Sequence, residues 1–262
     1  MTNFPVVYHQ RFWPIRLNEL IDYQSYLVQE FIKDCKTPRE LADEVIRKIA
    51  YPFHGGKPDD LHIYNSFHGR FCRKIESDYW AKASECLAAL IGDCEDSTIT
   101  FVACARAMGV KPEDVYVVFG YVRNARTGEI VGGHAWAVII HESFGAGWRY
   151  IETTLDVPPG DYPVVDDIRK PFAWGSWVLV PEILWNDSYY EEIQLTRRLM
   201  AEVAVFLFKK RKSQIVKHSN YLDLKFSEKE TRKKYEALSE MWGITTKPLK
   251  KAGLLSKIRW RS

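Results

Sequence analysis

The sequence predicts an α+β fold in which a group of helices precedes a group of strands. Helical spacing of apolar residues dominates residues 18–108, whereas β-branched and aromatic residues dominate three segments between residues 115 and 154. Helices and strands that are segregated along the chain are typical of the α+β class. An apolar fraction of 46% over 262 residues is sufficient for a large hydrophobic core.

Two amphipathic helices are predicted after an extended segment at residues 1–16. The first spans residues 18–34 and carries four apolar residues on one stripe: Leu20, Tyr23, Leu27 and Phe31. The second begins at Thr37, with Pro38 at its first position and Glu40 as a capping residue, and is predicted to end near Ala50.

Residues 51–73 are predicted to form a loop that makes one wall of a cleft. The loop contains His54, His62 and His68, whose spacings of 8 and 6 match no metal-ligand pattern. We interpret these histidines as structural or surface residues.

Gly92 and Asp93 mark the start of an apolar helix that is predicted to span residues 94–108. Gly92 allows a tight turn, and Asp93 is expected to cap the helix by accepting a bond from the backbone of Asp96. Asp96 is expected to reach back to Asp93 as in a capping box. A shorter helix is predicted at residues 84–90, and Cys86 and Cys104 are interpreted as core residues.

Cys94 falls on the first residue of this helix and is the candidate nucleophile. A helix N-terminus lowers the pKa of a thiol and provides N–H groups for an oxyanion. The flanking carboxylates of Asp93 and Glu95 oppose a thiolate, so a basic partner is needed. His134, within Gly-Gly-His-Ala-Trp, is the candidate.

These motifs resemble a known family. Asp78-Tyr79-Trp80, followed by Gly-Asp-Cys-Glu-Asp at residues 92–96, resembles bacterial transglutaminase-like cysteine peptidases. Gly-His-Ala-Trp and the later Trp-x-x-x-Glu-Thr-Thr, which begins at Trp148, resemble the wider transglutaminase core. The resemblance covers residues 77–156 and implies a papain-like/transglutaminase core, with the nucleophile at the start of a helix that packs on an antiparallel sheet. The family usually has Asp where this chain has Glu152.

Strands are predicted at residues 115–122, 134–141, 148–154 and 172–180. Alternation makes His134 and Glu152 cross-strand neighbours, and we expect them on the face that meets the Cys94 helix. His141 is expected on the opposite face. The predicted triad is Cys94, His134 and Glu152, with Asp156 as the alternative acid.

The predicted function is thiol-dependent acyl transfer at an amide of a peptide or protein, by a cysteine peptidase or amidase if water accepts the acyl group and by a transglutaminase if an amine does. The alternative is an inactive module of the same fold that binds a partner through its basic tail.

Trp80 and Tyr79 are candidates for the second oxyanion donor, although packing explains Trp80 equally well. The resemblance implies that Asp93 and Glu95 are candidates to bind calcium, but two carboxylates are few for such a site, and we expect no cofactor.

Charge divides the chain into two predicted parts. Residues 187–262 contain 18 basic and 9 acidic residues, against 19 and 25 in residues 1–186. We predict a transglutaminase-like core at residues 1–185 and a basic helical extension at residues 186–262, with helices starting near Asn186 and Ser227 and a mobile end after residue 247. We expect the extension either to pack on the acidic core or to bind a polyanion through the basic run at residues 209–212.

Five cysteines without a Cys-x-x-Cys pair, and a start without an apolar signal segment, favour reduced thiols and a cytoplasmic location. The apolar run at residues 199–208 is too short to span a membrane.

Overall fold

The helices lie before the main sheet in the chain, as predicted. The computed structural model describes residues 4–7, 15–51, 61–67, 70–76 and 80–193. Within these residues the α-helices are α1 (Tyr26–Phe31), α2 (Pro38–Lys48), α3 (Ala83–Ala89) and α4 (Cys94–Ala107). Two short strands near the N-terminus, β1 (Val6–Val7) and β2 (Ile15–Arg16), pair with each other. None of the helices in the described part is long and apolar enough to cross a bilayer.

A seven-stranded antiparallel sheet follows α4. Its strands are β5 (Val115–Asn124), β6 (Ile130–Ile139), β7 (Trp148–Ile151), β8 (Val164–Val165), β9 (Phe172–Trp174), β10 (Trp177–Trp185) and β11 (Tyr190–Glu192). The order across the sheet is β11-β10-β5-β6-β7-β8, and β9 also pairs with β10. The predicted antiparallel arrangement of the three central strands is confirmed.

The two faces of this sheet bury different apolar clusters. Val117, Ala137 and Ile151 pack with the helices, including α4. Trp136 and Tyr150 belong to a separate cluster formed by side chains at the alternate positions. The expectation that the face carrying His134 and Trp136 meets the Cys94 helix is therefore wrong. Ala137 and Ile139 pack with the helices, and because alternate residues of a strand point to opposite faces, Trp136 and Val138 lie on the other side.

The predictions of α2, α3 and α4 are confirmed, and the first and last residues of each helix lie within two residues of the predicted ones. Thr37 caps α2 by accepting a bond from the Glu40 backbone at 3.2 Å, with Pro38 at the first position. Gly109, at φ +92°, follows α4 in the left-handed conformation that a glycine adopts without cost. Cys86 and Cys104 are buried, as expected.

The first predicted helix is interrupted. Residues 18–34 form a 3₁₀ turn at Leu17–Leu20, α1, and a second 3₁₀ turn at Ile32–Asp34. Asp22 lies in the gap because its carboxylate accepts bonds from the backbone N–H and the hydroxyl of Ser84. The prediction that Leu27 lies on the apolar stripe of this helix is also wrong, because Leu27 is exposed and Val28 is fully buried.

The predicted loop at residues 51–73 contains an antiparallel hairpin of β3 (Leu61–Phe67) and β4 (Arg70–Glu76). The loop prediction missed an alternation, since Leu61, Ile63 and Phe67 are separated by polar or amphipathic residues. His54, His68 and the side chain of His62 lie outside the described part, so the interpretation of these histidines stays a prediction.

The helix predicted to start near Asn186 is wrong over residues 186–193. The Asn186 side-chain oxygen accepts bonds from the backbones of Ser188 and Tyr189, both at 2.8 Å, and closes a turn. This turn leads into β11, which pairs with β10. The sheet therefore extends past residue 185. The rest of the predicted extension, including the basic run at residues 209–212 and the helix start at Ser227, lies outside the described residues.

Candidate active site

The start of α4 is held by a close approach of three chain segments. A Cβ atom at Gly92 would lie 2.6 Å from Cβ of Asp96 and 2.8 Å from Sγ of Cys86. The positive φ of this turn belongs to Leu90, at 52°, and not to Gly92. Gly92 is thus required for lack of space rather than for backbone conformation, and Cys94 follows as the first helical residue.

The carboxylates at this helix start form one half of the predicted capping box. Asp93 occupies the N-cap position, but its side chain makes no capping bond. Asp96 is fully buried and accepts a bond from the backbone of Ala81 at 2.7 Å as well as one from the backbone of Asp93, so the predicted reach back to Asp93 is confirmed. Asp96 therefore ties the segment before α3 to the first turn of α4.

The Cys94 thiol lies among groups that mostly disfavour its ionised form. Its sulfur is 3.3 Å from Oε2 of Glu95, and the backbone of Ala135 also bonds to it. Burial of the sulfur raises the pKa of Cys94 well above its usual value, and the charges of Glu95 and Asp93 raise it further, against the bond from Ala135. The residue as a whole is nonetheless partly exposed.

His134 and Glu152 form a direct pair. Nε2 of His134 in β6 lies 2.7 Å from Oε2 of Glu152, the residue that follows β7. His134 is the residue before Ala135, whose backbone bonds to Cys94. The imidazole is thus next in the chain to the group that contacts the thiol, and its Nδ1 atom is not used by Glu152.

The Glu152 carboxylate is buried and fully hydrogen-bonded. Oε2 also accepts the Tyr150 hydroxyl at 2.5 Å, and Oε1 accepts the Thr154 backbone at 3.1 Å and the Thr154 hydroxyl at 2.6 Å. Burial raises the pKa of Glu152, but the charge and hydrogen bond of His134, with the bonds from Thr154 and Tyr150, outweigh it. The pKa is therefore lower than usual, and the carboxylate is ionised.

Residues 27–153 match the family model of the transglutaminase-like superfamily. This segment is a transglutaminase-like domain. The matched range includes α1 to α4 and the sheet through Glu152, so the family expected from the sequence motifs is confirmed.

Solved structures of LapG from Legionella pneumophila are similar to this chain. One is 14% identical and has a TM-score of 0.38, with 70% of this chain and 82% of LapG covered. A calcium-bound form is 15% identical, with a TM-score of 0.35 and coverage of 71% and 86%. An EGTA-treated form is 14% identical, with a TM-score of 0.35 and coverage of 69% and 84%. No curated protein matches.

The transglutaminase-like domain brings two of the three predicted triad residues into direct contact. His134 and Glu152 are hydrogen-bonded, and Cys94 contacts the strand residue that follows His134. Asp156 instead lines a small cleft beside the helix start, together with Gly92 and Thr154. His141 lies beyond the end of β6, where it accepts a bond from the Ser143 backbone at 3.1 Å and caps a short 3₁₀ turn.

The sequence interpretation did not single out several residues of this site. Thr153 bonds to the hydroxyls of Ser97 at 2.8 Å and Thr98 at 3.1 Å, which joins α4 to the segment that carries Glu152. Tyr150 shares the parity of Glu152 along the strand, and Thr154 is the final residue of the family-like Trp-x-x-x-Glu-Thr-Thr motif. Strand parity for Tyr150 and the motif for Thr154 were the sequence signals that could have identified these two residues.

Trp80 packs inside the domain. Its ring stacks on Trp185, with centroids 5.7 Å apart, and contacts Phe119 at 5.5 Å. The packing interpretation of Trp80 thus has direct support. Tyr79 lies outside the described residues.

Asp93, Cys94 and Glu95 form a compact group whose ligand atoms lie within 4.8 Å of one another. Asp93 and Glu95 are both 4% exposed. Burial and the charge of Asp96 raise the pKa of Glu95 to about 8. A proton or a cation therefore has to offset part of the negative charge at this helix start.

Proposed function

We propose that the transglutaminase-like domain catalyses thiol-dependent acyl transfer at an amide of a peptide or protein. Cys94 is the nucleophile, His134 the general base and acid, and Glu152 the residue that orients the imidazole. The observation that carries this proposal is the 2.7 Å bond from His134 to Glu152 beside the helix start that holds Cys94. A nucleophile, a base and an orienting acid in this order are the components of a thiol triad.

Each residue has a step that follows from its contacts. Glu152 engages Nε2 of His134, which leaves Nδ1 to take the proton of the Cys94 thiol. The sulfur attacks the amide carbonyl, and the first N–H groups of α4 stabilise the oxyanion. His134 then gives the proton to the leaving amine, and an acyl-thioester remains on Cys94. Water resolves the thioester in a peptidase or amidase, and a second amine resolves it in a transglutaminase.

Asp93 and Glu95 fit a calcium ion in donor type, because hard cations prefer carboxylate oxygens. Burial and the charge of Asp96 raise the pKa of Glu95, and a cation would offset the same negative charge that a proton otherwise offsets. One of the LapG structures is a calcium-bound form. In this chain Asp93 and Glu95 would hold the ion, and its charge would lower the pKa of the Cys94 thiol.

Calcium is expected to raise the melting temperature of the protein, and EGTA to lower it, because the ion replaces a proton among buried carboxyls. The Glu95→Gln variant should lose most of this response. Glu182→Gln removes a carboxyl of β10 that is outside the Asp93–Cys94–Glu95 group, and it is the matched control. Thermal unfolding with and without calcium measures the effect, and an equal response in both variants would contradict the assignment.

Alkylation by iodoacetamide tests the proposed nucleophile without a known substrate. Cys94 should be labelled at least tenfold faster than the other cysteines, because the imidazole supplies the thiolate. His134→Ala should remove this advantage, and Cys94→Ala should remove the label while it leaves the melting temperature nearly unchanged, since alanine is a good helix former. Slow, uniform labelling of all five cysteines would contradict the proposal.

An inactive binding module is the second candidate function. The raised pKa of the Cys94 thiol, with carboxyls on both sides, favours this alternative. Binding would then involve the basic extension predicted after residue 186. The same alkylation experiment separates the two, because an inactive module predicts no dependence of labelling on His134.

A further inference from the structure

Tyr150 is a buried residue that the acyl-transfer steps do not use. It is fully buried, and its ring packs against Phe172 and Trp174 with centroids 4.9 Å away in both cases. Its hydroxyl nevertheless reaches Oε2 of Glu152, the same oxygen that binds His134. An aromatic cluster thus fixes a donor on the oxygen that faces the imidazole.

The Tyr150 hydroxyl acts as a neutral donor. Burial, the charge of Glu152 and the bond to it raise the pKa of Tyr150 well above its usual value, and the charge of Cys94 adds to this. The phenol therefore keeps its proton and donates a hydrogen bond to the carboxylate. The titratable groups that face this pair are His134 from β6 and Cys94 from α4.

We propose that Tyr150 is a positioning residue that holds Oε2 of Glu152 toward His134 and so keeps the imidazole productive. The inference rests on the proposed function and adds a residue to it. Thr154 fixes the other oxygen, so the two residues together prevent rotation of the carboxylate. Hydrogen-bond donors that fix the triad carboxylate in this way also fix the orientation and the tautomer of the histidine that it binds.

The Tyr150→Phe variant tests the proposal, because it keeps the ring and removes only the hydroxyl. Iodoacetamide labelling of Cys94 should slow by about tenfold, the effect of losing one bond to a charged group. The acidic limb of its pH profile should also move to higher pH, since the carboxylate loses a bond that lowers its pKa and loses its orientation. Tyr162→Phe is the matched control: Tyr162 is 1% exposed and donates to Asp43 at 2.7 Å, away from the site.

A double-mutant cycle distinguishes positioning from a structural role. If Tyr150 acts through Glu152, then Tyr150→Phe should add little to the loss caused by Glu152→Gln. An additive loss, or an effect no larger than that of Tyr162→Phe, overturns the proposal. A shift of the acidic limb to lower pH also overturns it, because the phenol would then only compete with His134 for the carboxylate.

A second variant keeps the test decisive if Tyr150→Phe does not fold. Incorporation of 3-fluorotyrosine at position 150 keeps the shape and strengthens the donor, so the limb should move to lower pH. An unchanged profile, or a shift to higher pH, overturns the inference. Wild-type Cys94 that is not selectively labelled would instead contradict the proposed function itself, and the inference with it.

Discussion

Glu152 shows how the longer acid is accommodated where the family usually has aspartate. Its additional methylene is matched by donors on both oxygens, from Tyr150 and His134 on one and from Thr154 on the other. The carboxylate is 4% exposed, so each bond also offsets a desolvation cost. The substitution of Glu for Asp therefore leaves the histidine with an oriented partner.

Glu152→Gln is expected to slow Cys94 labelling and any amide turnover by roughly 10³-fold, because a neutral amide does not stabilise an imidazolium. Asp156→Asn is the matched control, since Asp156 lines the cleft and Glu152 already occupies Nε2 of His134. Labelling rates measured side by side check this. A larger loss in Asp156→Asn would assign the acid to Asp156.

The lowered pKa of Glu152 also makes a prediction about stability. Its stabilising contribution is present above the unfolded pKa and is lost as the pH falls through the folded one. The difference in free energy of unfolding between wild type and Glu152→Gln should therefore shrink from about pH 7 to about pH 3. Urea unfolding at a series of pH values measures it, and a constant difference would contradict the assignment.

At the scale of elements, α4 is anchored by polar contacts as well as by its apolar side chains. Thr153 bonds Ser97 and Thr98, and Asp96 bonds the backbone of Ala81. These buried bonds connect the first turns of the helix to the segment that follows β7 and to the segment before α3. The position of Cys94 thus depends on contacts from two other parts of the chain.

Gly92→Ala is expected to lower the free energy of unfolding by about 1–3 kcal/mol, because its methyl group would overlap Asp96 and Cys86. The same shift should slow Cys94 labelling. Gly160→Ala is the control, since nothing lies within 4 Å of a Cβ there, and its effect should be below about 1 kcal/mol. Chemical denaturation compares them, and equal stabilities would contradict the steric argument.

At the scale of the whole molecule, the sheet includes residues that charge alone assigned to the extension. Asp187 pairs with Arg106 of α4 at 2.6 Å, with both side chains 12% exposed. Glu191 pairs with Arg169 at 2.8 Å, and its strand β11 pairs with β10. We therefore propose that the core continues to residue 193 and that the basic extension follows it.

Two truncations test this boundary. A chain that ends at residue 193 should stay folded and keep its Cys94 labelling, whereas one that ends at residue 186 loses β11 and the Asp187 partner of the partly buried Arg106, and should be less stable than the first by about 1–3 kcal/mol. Thermal and urea unfolding measure both. Equal stability of the two truncated chains would contradict the proposed boundary.

The chain that ends at residue 193 also tests the role of the basic extension. If it is a tether, the full chain should bind heparin in a salt-sensitive way that the chain ending at residue 193 has lost. If it packs on the acidic core, its removal should lower stability instead.

Local signals in the sequence determined the features that depend on neighbouring residues. Thr37 and Pro38 start α2, Gly109 follows the end of α4, and Cys94 lies at a helix start because the residues around it favour a turn there. Strand parity likewise predicted that His134 and Glu152 meet. Caps, turns and alternation act within a few residues, so a sequence displays them directly.

Only the tertiary structure decided the features that depend on distant partners. Ser84 draws Asp22 out of a helix, Ala81 adds a second backbone donor to the Asp96 carboxyl, and packing sends the Trp136 face away from α4. The donors on Glu152 and the β11 pairing were decided in the same way. A polar group or a sheet edge bonds to whatever the fold brings near, and that neighbour is chosen by packing of the whole core.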